Sequence, residues 1–374
     1  MKKFNTDLAD SQSTQVIPVK PENFDLNEYA GYADDLNKRC LEFWEAKTGV
    51  VVYRRMRVGR CFSFGCKDYR ESLEFQLGAL QRSMLFKADV PNFLEPWYGI
   101  GTIASAFGEE YYWPERIAPV MKPWFQSVED LLRYDYQHVS ETSIGKHTLE
   151  MIDYFMEMTK CRIPVSLTDT QSPLNIINQL IPLDIFFYEI LVDPEKIVKL
   201  FNLLADLSIS FNNEQIKRIG ETLAYPGHGF ASSIEWKGLG MSDDNAVMIS
   251  PEQYHQLAVP SMEKICTPFG GSAFHSCGDW SGMIDVVLNI KNIVMADGAF
   301  SHETDPGATD MLEAFHKFAG TGVVLNARIV GDIRTLENQV KRLWIPGMKL
   351  VVVTYCQTPE EQERAYNLIH EICI

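Results

Sequence analysis

Short apolar runs alternate with amphipathic segments along the second half of the chain, and this alternation limits the fold more than any other feature. The runs near Ser272–His275, Ile293–Ala296, Val323–Ala327 and Leu350–Thr354 have the length and apolar content of buried strands. Segments near Ser281–Asn289, Gly307–Phe318, Ile333–Leu343 and Pro359–Ile372 have the character of helices. Successive strand-then-helix units predict parallel pairing with right-handed crossovers.

Helix starts are written explicitly. Asp193-Pro194-Glu195, Ser250-Pro251-Glu252 and Thr358-Pro359-Glu360 each place a capping side chain before a proline at the first helical position and an acidic residue at the positive end of the dipole. Gln253 and Glu361 are placed to complete capping boxes. From Glu195 to Ile219, apolar Ile197, Leu200, Phe201, Leu204, Leu207 and Phe211 mark one buried helical face.

The first half is less regular. It predicts a helix from about Asn27 to Lys47, a first strand at Val50–Tyr53, and further strands at Ala88–Leu94, at Ile163–Leu167 and close before Ser242. A total near eight strands points to the α/β class and to a single (β/α)8 TIM barrel over residues 49–374, with residues 1–48 as a helical extension packed on it. No Gly-x-Gly-x-x-Gly turn follows a strand, so an open dinucleotide-binding sheet has no phosphate loop in its favour.

Composition bounds the partners. A net charge of −16 repels a phosphate backbone, and the one basic cluster is short, comprising Arg54, Arg55, Arg57 and Arg60, so nucleic acid is not expected as a partner. No apolar stretch approaches the roughly 20 residues that span a bilayer. The polar start MKKFNTDLADSQSTQ lacks the apolar middle of a signal peptide. A cytoplasmic location is therefore expected, and eight cysteines without regular spacing read as reduced thiols rather than a disulfide framework.

Chemistry concentrates at strand ends. His275 and Cys277 stand two apart, so alternation puts both on one face, and imidazole and thiolate are ligands that zinc prefers. A buried histidine beside a packed cysteine is the alternative. Cys356 follows the last strand and offers a third soft ligand at the end of the barrel where strand ends converge. Three ligands with an open fourth position would suit a catalytic zinc. Asp243 and Asp244 could act as acid, base or fourth ligand, or could cap and turn the chain. His302 and Glu303 are similarly placed, with a solvated loop as the alternative. Cys61 and Cys66 have a spacing compatible with metal, but they read rather as buried or exposed free thiols. Arg57 and Arg60 could neutralise an acidic ligand.

With these residues in hand, the chain from about Lys47 onward resembles the uroporphyrinogen decarboxylase superfamily, and within it the zinc-containing, corrinoid-dependent methyltransferases of the methylcobalamin:coenzyme M type. The landmarks are Leu191-Val192-Asp193-Pro194-Glu195, Ser242-Asp243-Asp244, Ile249-Ser250-Pro251-Glu252, His275-Ser276-Cys277-Gly278-Asp279, and Cys356 before Thr358-Pro359-Glu360. The resemblance implies a (β/α)8 barrel whose zinc, held by His275, Cys277 and Cys356, activates a thiol to accept a methyl group from methylcobalamin, carried by a corrinoid partner protein. The decarboxylase branch implies instead an Arg-x-x-Gly-Arg segment, of which Met56-Arg57-Val58-Gly59-Arg60 keeps only the second arginine, and an aspartate near Asp89. Its histidine near the last strand is replaced here by Cys356.

Three functions compete on this reading. They are a thiol methyltransferase, a cofactor-free decarboxylase of a tetrapyrrole or other acidic substrate using Asp89 and the arginines, and a non-catalytic binder of a corrinoid or porphyrin.

Overall fold

A computed structural model describes residues 11–114 and 118–374. Six strands form one parallel sheet, β1 (Gly49–Arg54), β2 (Leu239–Ser242), β3 (Ser272–His275), β4 (Ile293–Ala299), β5 (Val324–Arg328) and β6 (Lys349–Thr354). Their spatial order is β1-β6-β5-β4-β3-β2. The first strand therefore pairs with the last, Val51 opposite Val351 and Tyr53 opposite Val353, as closure of a barrel requires.

Three extended runs, 88–94, 163–167 and 222–226, occupy the gap between β1 and β2. Asp89 N donates to Val52 O on β1, Leu94 bridges Val165, Val165 bridges Leu223, and Gly240 N on β2 donates to Pro226 O. Each run contains a proline, Pro91, Pro164 or Pro226, which has no N–H to give to a ladder. The chain thus follows the expected course at Ala88–Leu94 and Ile163–Leu167 but pairs there through isolated bridges. The architecture is the expected α/β fold of TIM-barrel kind, but the six-stranded sheet does not close by a continuous ladder, and run 222–226 is a wall element additional to the eight strands expected.

Side chains alternate across the wall. Val51, Tyr53, Ala273, Met295, Val324, Val351 and Val353 fill the interior, while Val52, Phe274, Ala296, Leu325, Leu350 and Val352 face the surrounding helices. The helix Leu26–Glu45 sends Cys40 and Phe43 into the interior cluster beside Trp236. Trp44 stacks on Trp236 at 5.6 Å, and Lys349, at the start of β6, donates to Trp44 O. This helix plugs the N-terminal end of the barrel, which leaves the C-terminal end as the mouth.

The predicted caps form at Asp193, Ser250 and Thr358, which accept from Lys196 N, Gln253 N and Glu361 N. Ser250 and Gln253 make the full reciprocal box. At Thr358 the Glu361 carboxylate instead takes Gln357 N at 3.0 Å, one residue earlier. The helix expected over Gly307–Phe318 is reduced to a 3-10 segment, Leu312–Phe318. Asp305 accepts from Gly307 N and Gly278 N, and Thr309 from Met311 N, so side chains take up backbone donors that a helix would use. Among the described residues, no helix is long and apolar enough to cross a membrane.

Candidate metal centre

Parallel register sets Ser242, His275, Asp297, Asn326 and Val351 in one row across β2 to β6. By the alternation of the wall they all face the interior. The row is polar from β2 to β5 and apolar at β6, so the charged chemistry gathers on one side of the mouth.

His275 ends β3, and Cys277 follows on the same face. Their Nε2 and Sγ atoms lie 3.6 Å apart. Asp244, just beyond β2, brings Oδ1 to 3.4 Å from the same Nε2. Its position is fixed because Oδ1 also accepts from Cys277 N at 2.8 Å and Oδ2 from Asn175 Nδ2 at 3.4 Å. The three ligand atoms lie within 4.8 Å of one another, and Cys277 is exposed to the mouth. Ligands on a tetrahedral zinc, with bonds of about 2.0–2.3 Å, would sit about 3.3–3.8 Å apart. The two pairs about Nε2 already match that spacing.

The other imidazole nitrogen is committed. Nδ1 stands 2.5 Å from Asp297 Oδ2, and Asp297 is held in turn by Arg328 Nε at 2.9 Å and Asn326 Nδ2 at 2.5 Å. Burial alone would raise the Asp297 pKa, but the Arg328 guanidinium and the His275 bond hold it below the carboxylate range. Burial likewise works against the Asp244 carboxylate, yet its bonds to His275 and Cys277 keep it well below its usual value. For His275, burial lowers the imidazole pKa, and hydrogen bonds to Asp244 and Asp297 outweigh it and raise it well above the ordinary value. The pocket favours positive charge at Nε2.

Asp243 is fully buried beneath this group. It accepts from Ser172 Oγ and Tyr254 OH, both at 2.7 Å, and burial pushes its carboxyl up to about 7. It pegs helix Pro251–Leu257 to the wall and does not reach the mouth. Cys356 is not among the grouped ligands. Continuing the alternation of β6, where Leu350 and Val352 face outward, it packs with the outer core. Its carbonyl accepts from Arg54 Nε at 2.7 Å, and burial pushes the thiol up to about 11.

Asp89 lies at the start of its run, on the outside of the wall. There it binds Val52 N, Tyr366 OH, His370 Nε2 and Arg39 Nη1 at 2.9, 2.6, 2.9 and 3.2 Å, tying the first and last helices to the barrel. Arg60 is exposed and pairs with Glu71, 2.6 Å from Nε. Arg57 is half-buried, its guanidinium 4.7 Å over the Phe62 ring. It lies within electrostatic reach of Glu95, Tyr355 and Arg328. Cys61 and Cys66 are buried thiols, both pushed up to about 12 by burial, while His302 and Glu303 are exposed.

Sequence reasoning missed Asp297, Asn326 and Arg328. A signal was present, because a charged residue inside the apolar strand Ile293–Ala299 needs buried partners.

The family described as Uroporphyrinogen decarboxylase (URO-D) matches residues 50–301, a span that begins in β1 and contains Asp244, His275, Cys277 and Asp297. Among solved structures, the chain is similar to a methyltransferase from Methanosarcina mazei, with a TM-score of 0.60 at 13% identity over 90% of this chain and 98% of that one. At that identity the likeness speaks to the fold. No curated protein matches the chain by sequence.

Proposed function

The chain belongs to the uroporphyrinogen decarboxylase family, and on that premise we propose that it is a zinc-dependent methyltransferase, moving a methyl group from a corrinoid such as methylcobalamin to a thiol. The observation that carries the reading is the spacing of His275 Nε2, Cys277 Sγ and Asp244 Oδ1 at the mouth. A nitrogen, a thiolate and a carboxylate form a donor set that suits zinc, and three protein ligands leave the fourth position for substrate.

Zinc bound there would lower the pKa of a thiol at its open position, so that thiolate is present at neutral pH. The chain's own residues do the rest. Asp297 fixes the His275 ring and its tautomer, as a carboxylate behind a metal-bound histidine does. Arg328 and Asn326 hold Asp297. Asp244 fixes the loop through Cys277 N while offering its oxygen to the same centre. The two carboxylates that favour a proton at Nε2 would favour a cation by the same attraction.

Decarboxylation draws its support from the family's own description. Of the residues it relies on, Asp89 stands on the outer wall and Arg60 in an exposed ion pair, while Arg57 is within electrostatic reach of Glu95 and Arg328; methyl transfer is preferred because the aspartate it would need does not face the mouth. The test is methylation of a small thiol such as 2-mercaptoethanol by methylcobalamin, with zinc present and after chelation. Zinc-dependent product that disappears in Cys277→Ser supports the reading. No methylation of any thiol by zinc-loaded protein overturns it.

A further inference from the structure

Four consecutive elements of the wall end at the mouth with a charged or titratable side chain. Arg55 follows β1, Glu95 follows run 88–94, Asp169 follows run 163–167, and His228 follows run 222–226. They form one chain of contacts that reaches β2 through Asp169 and Ser242, the register partner of His275. Glu95 Oε2 stands 2.7 Å from His228 Nδ1, and Arg55 Nη2 lies 3.3 Å from Glu95 Oε1. Glu95 is anchored through its backbone too, since its N–H donates to Gln76 Oε1 and its carbonyl accepts from Gln76 Nε2. Burial alone would raise the Glu95 carboxyl, but Arg55 and His228 outweigh it and hold it at about 2. Glu95 is thus a fixed anion behind the ring.

The ring packs against Phe62, 5.3 Å away, and Trp97, 6.3 Å away, which also touch each other at 5.7 Å. Its Nε2 faces Asp169 Oδ2 at 3.8 Å, too long for a hydrogen bond. Asp169 accepts from Ser242 Oγ at 3.3 Å, and Ser242 is the register partner of His275. A histidine whose Nδ1 is fixed by an ionised carboxylate and whose Nε2 is uncommitted has the geometry of a general base. The methyl-transfer site described above leaves this dyad unused.

We propose that His228, oriented by Glu95, accepts the proton that the substrate thiol gives up on becoming the nucleophile, an inference that rests on the methyl-transfer reading. The S–H bond breaks, an N–H bond forms at Nε2, and the electron pair stays on sulfur. The Glu95 anion stabilises the imidazolium, which keeps the proton while the thiolate is bound; only after the methyl group has been transferred does it leave past Asp169 to solvent. Asp169 is the other charged group facing the ring, while Arg55 pairs with Glu95 behind it and Arg57 is within electrostatic reach of Glu95.

Calorimetric titration of zinc-loaded protein with 2-mercaptoethanol, in two buffers of different ionisation enthalpy, counts the protons released per thiol bound. His228→Asn keeps an amide donor for Glu95, and His228→Gln serves if that variant does not fold. Wild type should release clearly less than one proton and the variant close to one. Methyl transfer should fall on the order of 100-fold, with zinc content and thermal midpoint unchanged and partial rescue by added imidazole. Equal proton release and equal rates would overturn this proposal and leave the methyl-transfer reading standing. Absence of thiol binding by zinc-loaded wild type would overturn both.

Discussion

The Asp297 carboxylate stands 2.5 Å from His275 Nδ1 and 2.9 Å from Arg328 Nε, so one buried side chain decides which imidazole nitrogen faces Cys277. Asp297→Asn keeps the shape and removes the charge. Zinc affinity should fall about 10- to 100-fold, as is typical when the partner of a metal-bound histidine is lost. Stability should fall by about 3–5 kcal/mol, since Arg328 is left buried without its counter-charge. Competition with a chromophoric chelator, on protein shown to be folded, reads the first effect. Unchanged affinity would mean that the His275 orientation does not depend on Asp297.

Asp244 and Cys356 should separate cleanly. Asp244→Asn is expected to lower zinc affinity at least 10-fold, because an amide oxygen is a poorer ligand than the carboxylate and its carbonyl alone must also hold Cys277 N. Cys356→Ser should keep wild-type zinc within about twofold and lose about 1–2 kcal/mol of stability from burying a hydroxyl. Metal analysis of the two variants decides the ligand set. Zinc lost from Cys356→Ser and kept by Asp244→Asn would reverse the assignment.

Asp89 predicts a pH dependence of stability with no effect on the metal. Burial alone would raise its carboxyl, but bonds to His370, Tyr366 and Val52 N outweigh it and lower the pKa. A depressed carboxyl stabilises the fold above the unfolded value of about 3.9 and loses that contribution as pH falls toward the folded value. Asp89→Asn should therefore cost about 1.5–3 kcal/mol near neutrality, and its deficit should shrink below about pH 4. Urea midpoints of both proteins across this range test it. A deficit as large at about pH 3 as at about pH 7 would contradict it.

The barrel was legible because strand-length runs and helical segments alternate from Ser272 to the end of the chain, even though the helix expected over Gly307–Phe318 forms only the 3-10 segment Leu312–Phe318. The first half was less so because Pro91, Pro164 and Pro226 break the ladders of the runs that complete the ring. His275 with Cys277 was readable from two-residue spacing, which is a local rule. Cys356 was placed by its position after a strand, without asking which side of β6 its neighbours face, and the parity of Leu350 and Val352 turns it outward. Asp89 could have been set aside on similar grounds, since it begins its run, whereas Glu95, which follows the run, reaches the mouth. The pairing of Asp297 with Arg328 depends on the register of β4 against β5, which no single segment encodes.

The metal content of the protein tests the His275, Cys277 and Asp244 centre most directly. Wild-type protein purified without chelator and measured by inductively coupled plasma mass spectrometry should carry about one zinc per chain, and Cys277→Ser, equally folded, much less. A wild type that binds no zinc even after incubation with the ion, or a Cys277→Ser variant that holds as much as wild type, would contradict the assignment of His275, Cys277 and Asp244 as a metal centre.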